Sequence, residues 1–81
     1  MSEVKLIAIA SHKSPVNVVK LNKDGDLLFS ASNDKNFIMY YSHSGERIGN
    51  FLCSGAVRSI DITRDSKYLI TTTLNGYIEL W

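Results

Sequence analysis

Cysteine, proline and tryptophan each occur once in the 81 residues. Cys53 has no partner for an internal disulfide, which favours a reducing, cytoplasmic compartment. Pro15 stands alone, so no Pro-rich linker is present. Charge is nearly balanced: nine Lys and Arg against eight Asp and Glu leave a net +1. That balance offers no electrostatic case for nucleic acid or a membrane surface, and the small basic group Lys13, Lys20 and Lys23 reads as solvated strand and loop surface. No apolar run approaches the roughly 20 residues of a membrane span. The run 6–10 is short and follows the acidic opening Ser2-Glu3, so it does not read as a signal peptide. Asn-x-Ser/Thr acceptors are absent. No ten-residue window carries a 3.6-residue apolar period, which leaves no helix.

Reaction chemistry is equally sparse. His12 and His43 have no Cys or carboxylate at metal-ligand spacing, so no metal or cofactor is expected. The run Asn22-Lys23-Asp24-Gly25-Asp26 lacks the Glu that closes a calcium loop and runs straight into Leu27-Leu28, so it reads as a hairpin turn. Neither a G-x-S-x-G elbow nor a Gly-rich phosphate loop occurs. The chain is expected not to be an enzyme.

What is present is a dense series of short strands. Residues 25–49 hold three apolar runs, Leu27–Phe29, Phe37–Tyr41 and one beginning at Arg47, separated by the turns Asn33–Asn36 and His43–Glu46. Aromatic and branched runs bounded by Gly, Asn, Asp and Ser are strands, and three on tight turns make an antiparallel meander. A further strand is expected over 16–22. Its alternation breaks near Asn17-Val18, the mark of a bulge. Asp24-Gly25 and Asn75-Gly76 are hairpin signals. An apolar strand is also expected over 4–10.

The chain repeats itself. At an offset of 41 residues Val16 aligns with Val57, Val19 with Ile60, Leu21 with Ile62, Leu28 with Leu69 and Phe37 with Ile78. The turns align as well, and so do Ser30 with Thr71 and Tyr40 with Trp81. A four-strand unit recurring every ~40–45 residues is the period of a β-propeller blade. The fold class is therefore all-β, with antiparallel four-stranded blades. Propellers close with about four to eight blades, so a two-repeat segment is expected to belong to a longer protein or to complete its edges with other chains. The division is 12–52 for the first repeat and 53–81 for the second, whose fourth strand is absent. Residues 1–11 would supply the outer strand of the closing blade.

His12 lies 28 residues before Tyr40, Ser30 ten before it and Asp34 six before it. With these spacings the chain resembles the WD-repeat (WD40) family, in which Gly-His, Ser/Thr, Asp and Trp form a hydrogen-bonded set within each blade. The resemblance implies a structural role for His12, Ser30, Asp34 and Tyr40, and for Thr71 and Trp81 in the second repeat. The chain departs from that pattern. Ser11-His12 stands for Gly-His and Tyr40-Tyr41 for Trp-Asp, and the second repeat carries Cys53 and Asn75 where the first has His12 and Asp34.

Within that family, Gly25-Asp26-Leu27-Leu28-Phe29, then Tyr41-Ser42, then Gly45-Glu46-Arg47-Ile48-Gly49 resemble the initiation factor 3 subunit i group of WD-repeat proteins. The resemblance covers two of seven blades. It implies a non-catalytic scaffold in translation initiation that holds subunits b and g beside the small ribosomal subunit, contacting the ribosome indirectly. Two alternatives stand beside it: a WD-repeat adaptor of another complex, such as one in signalling, and a small stand-alone β protein that binds a ligand or RNA.

Overall fold

The computed structural model describes residues 12–81, and the strand expected over 4–10 lies outside them. Seven strands follow in order: β1 Val16–Leu21, β2 Leu27–Ser32, β3 Asn36–Tyr41, β4 Arg47–Leu52, β5 Val57–Ile62, β6 Leu69–Thr73 and β7 Ile78–Leu80. They form two antiparallel meanders, a four-stranded sheet in the order β1-β2-β3-β4 and a three-stranded sheet β5-β6-β7. Among the described residues no helix is long and apolar enough to cross a membrane.

The turns obey the same chemistry in both sheets. Asn22 is buried and holds the β1–β2 turn: its Oδ1 accepts from Leu27 N at 3.1 Å, and its Nδ2 donates to Asp26 at 2.6 Å. Thr63, 41 residues on, uses its hydroxyl likewise, accepting from Tyr68 N at 3.1 Å and donating to Asp65 at 2.6 Å. Gly25 and Ser66 hold the positive φ that each turn needs, at 73° and 59°. A side chain at positive φ is strained where glycine is not, so the first repeat has the more relaxed turn here. At the β2–β3 turn the order reverses, with Lys35 at φ 71° and Gly76 at φ 93°.

The bulge expected near Asn17-Val18 is present, because the β1–β2 register slips between Val16 and Val18. Its counterpart in the second sheet lies between Val57 and Ser59. Asn17 Nδ2 donates to Asn33 Oδ1 at 2.7 Å and to the Val57 carbonyl at 2.8 Å, pinning one sheet to the other.

Period-two alternation puts Phe29, Ala31, Phe37, Met39 and Phe51 on one face of the first sheet. That face packs on Cys53, Val57, Ile60, Ile62 and Leu69 of the second to make the core. Phe37 stacks on Phe51 with centroids 4.7 Å apart, and Trp81 sets its edge against both. Ring pairs of this kind add about 0.5–1.5 kcal/mol beyond the area they bury. The outer face of the second sheet carries Ile70, Ile78 and Leu80, all exposed.

Candidate functional site

The polar cluster of the first sheet gathers where the chain enters β1 and turns from β2 to β3. β2 and β3 pair Ser30 with Ile38 and Leu28 with Tyr40, so Ser30 and Tyr40 share the face away from the second sheet. His12 reaches onto that face, with 4% of its side chain exposed. Its Nδ1 donates to Asp34 Oδ2 at 3.0 Å. Its Nε2 stands 2.7 Å from Ser30 Oγ, which in turn donates to Tyr40 OH at 3.3 Å. Asp34 also accepts from the backbone N–H of Lys13 and of Asn36, each at 3.1 Å. Burial pushes the Asp34 carboxyl up; those two backbone donors, the His12 hydrogen bond and the imidazole charge outweigh it and hold it below its ordinary value of 3.8. The phenol of Tyr40 stands where an indole N–H would otherwise end the chain of contacts.

The second sheet solves the same problem with other residues. Trp81 Nε1 donates to Thr71 Oγ1 at 3.0 Å, and Cys53 Sγ lies 4.0 Å from that oxygen in the place of an imidazole. Burial raises the Cys53 thiol pKa, the Thr71 contact opposes this, and the charge of Glu79 adds to it. Asn75 Oδ1 accepts from Thr73 Oγ1 at 2.5 Å, and its Nδ2 donates to the Ser54 carbonyl at 3.3 Å. Ser54 N, equivalent to Lys13 N, donates instead to Glu79 Oε1 at 3.0 Å, and the Ser54 hydroxyl donates to Oε2 at 3.0 Å. The carboxylate that caps this loop has moved from the turn to strand β7.

The chain matches known proteins over most of its length. The model of the WD domain, G-beta repeat, matches residues 4–40 and 45–81. The chain belongs to the WD40 repeat family. It is 46% identical over 70 residues to eukaryotic translation initiation factor 3 subunit I of Dictyostelium discoideum, covering 86% of this chain and 21% of that protein. For the same subunit of Saccharomyces cerevisiae (strain ATCC 204508 / S288c) the figures are 40% over 79 residues, 96% and 23%. The chain thus spans between 21% and 24% of the length of such relatives. Among solved structures, the RRP9 WD40 repeats superpose with a TM-score of 0.84 at 23% identity, over 89% of this chain and 24% of that one.

Other WD40 residues singled out in the sequence lie at the opposite end of the first blade. Ser42 N donates to the Asp26 carbonyl at 3.0 Å, and its hydroxyl donates to the Gly25 carbonyl. Gly45 has φ 75° in the β3–β4 turn, where its N–H donates to the Tyr41 carbonyl at 2.8 Å and Glu46 N donates to Ser44 Oγ. Leu27 and Phe29 face the second blade; Leu28 pairs with Tyr40 on the other face, and Arg47 stands opposite Tyr40 across β3–β4. The two turns of this motif therefore meet through Ser42, and the motif and the His12 cluster occupy opposite ends of one blade. Sequence reasoning missed Glu79, and it placed Asn17 at a bulge and Asn22 at a turn without their side-chain hydrogen bonds. The offset alignment holds a signal for Glu79: it falls opposite Ile38, an exchange of buried aliphatic for carboxylate in a repeat that has lost Asp34.

Proposed function

We propose that this chain is a two-blade segment of a seven-bladed, non-catalytic scaffold subunit of eukaryotic translation initiation factor 3. Its work would be to hold other subunits, b and g among them, on the small ribosomal subunit in the cytoplasm. The observation that carries the reading is the match to initiation factor 3 subunit I relatives at 33–46% identity over 86–96% of the chain. The geometry supports it. His12, Ser30, Asp34 and Tyr40 are turned on one another, as are Thr71 and Trp81. Side chains committed in this way hold loops to strands; a reaction site needs a nucleophile, a base and an oxyanion position facing a common space. In this reading repeat 1 covers 12–52 and repeat 2 covers 53–81, with 1–11 given to the closing blade.

Affinity purification of the tagged protein from cells tests the proposal. Initiation factor 3 subunits should co-purify, and substitutions at His12, Ser30 or Asp34 should lower initiation only as far as they lower folding and subunit retention. A variant that folds and keeps its subunits yet abolishes initiation would refute the scaffold role. Recovery of a signalling complex without initiation factors would assign the blades to another adaptor.

A further inference from the structure

The two sheets do not close on each other completely. Between them lies an apolar cavity of about 240 Å³. Register puts Leu27, Phe29 and Met39 of the first sheet on one wall, and Ile62 and Leu69 of the second form the other. The rings of Phe37, Phe51 and Trp81, already set face and edge to one another, complete the lining. Ser66, Lys67 and Tyr68 of the β5–β6 turn and Trp81 are its exposed members, so the cavity opens there. In a closed ring the neighbouring blades pack on the two outward faces of this pair, not between its sheets. A fourth strand of the second sheet would add to the free edge of β7. Its turn would stand beside the β5–β6 turn, as the β3–β4 turn stands beside the β1–β2 turn through Ser42 in the first sheet. The mouth is therefore open in the ring.

We propose that this cavity seats the ring of a phenylalanine from a protein partner, with an Asp or Glu next to that phenylalanine facing Lys67. The inference rests on the scaffold reading and names the chemistry of a partner. Size supports a ring, since an apolar cavity of about 150 Å³ already holds benzene, and the aromatic lining offers it stacked and edge contacts. Charge supports the carboxylate. The β5–β6 turn carries Arg64 and Lys67 against Asp65, whose Oδ1 accepts from Thr63 Oγ1 and Lys67 N. Among the described residues the ion pair formed is that of His12 with Asp34, so the Lys67 ammonium is left to the mouth. A buried aromatic anchor with a charge at the rim is the usual build of a protein contact.

The test uses the whole protein and a fluorescein-labelled Ser-Glu-Phe-Glu-Ser peptide, followed by anisotropy at fixed salt. Replacing the peptide's Phe by Ala should weaken binding about tenfold or more. Lys67→Glu should weaken it about fivefold or more, and Tyr68→Ala, which opens the rim, should weaken it as well. Lys13→Glu makes the same charge change at the other end of the first blade and should alter affinity less than about twofold. These side chains are exposed, so thermal unfolding should stay near wild type. No binding by the wild type, equal binding of the Ala peptide, an equal loss for Lys13→Glu, or tighter binding of labelled hexauridylate that Lys67→Glu abolishes would each overturn the proposal. In cells, a Lys67→Glu/Tyr68→Ala double variant should lose at least one initiation factor subunit on affinity purification. Recovery of all subunits at wild-type yield would overturn the proposal and leave the scaffold reading intact. Absence of those subunits from the wild type would instead defeat that reading, whatever the peptide does.

Discussion

Asp34 gathers a side chain and two backbone donors onto one carboxylate, and its removal leaves all three to find other partners. Because His12 is almost fully buried, Asp34→Ala should destabilise the protein by about 1–3 kcal/mol in chemical denaturation. Asn75→Ala should cost less, since its contacts are to a hydroxyl and an exposed carbonyl. The pH dependence follows from the lowered Asp34 carboxyl. The folded state binds fewer protons than the unfolded state as pH nears 3.8, so the contribution is complete above that value and is lost as pH falls through the folded pKa below it. Asp34→Ala should therefore flatten the acid limb of a stability–pH curve. A limb as steep as the wild type's would place the acid sensitivity elsewhere. Asp65 is lowered too, chiefly by its hydrogen bond to Thr63, but it is exposed and adds less to that limb.

At the scale of the element, the loop into β5 is packed against the β6–β7 turn. A Cβ on Gly55 would lie 2.3 Å from Asn75 Oδ1, closer than any real contact allows. Gly55→Ala should thus destabilise the protein by about 1–3 kcal/mol, the range for overpacking a tight site. The clash is with a side chain, so Asn75→Ala should relieve it. The double variant should be more stable than the sum of the single effects by at least about 0.5 kcal/mol. Additive effects would mean that the Gly55 backbone conformation, not Asn75, sets the cost. Glu79→Gln offers a second check on the same loop. It removes the charge from the Ser54 cap and keeps the shape, so a loss of about 0.5–1.5 kcal/mol is expected, and no loss would show the cap to be idle.

For the whole molecule, apolar surface decides behaviour in solution. One face of the first blade is covered by the second, but Ile70, Ile78 and Leu80 present a continuous apolar outer face beside the short edge strand β7. Exposed edges and apolar faces invite pairing between chains. The 81-residue chain should self-associate, with a weight-average sedimentation coefficient that rises with concentration. An Ile78→Lys/Leu80→Lys double variant should reduce that rise. A concentration-independent monomer of the unsubstituted chain would show that the exposed face does not drive association.

Much of this was legible in the sequence because its cause is local. Gly25, Asp34, Gly45 and Asn75-Gly76 announce turns through backbone freedom and side-chain-to-backbone hydrogen bonding, both set within a few residues. The bulge at Asn17-Val18 showed as a break in period-two alternation, and the offset of the two repeats placed the strands of both sheets. The folded arrangement alone decided which distant groups meet. Asn17 and Val57 are brought together by one sheet packing on the other. Glu79 serves Ser54 because β7 runs beside the loop into β5. Lys13 and Asp34, 21 residues apart in the chain, meet because the loop into β1 lies against the β2–β3 turn, where the Lys13 N–H donates to the Asp34 carboxylate. Sequence determines which elements form through interactions over a few residues; which charges share a space depends on register and packing summed over the whole fold.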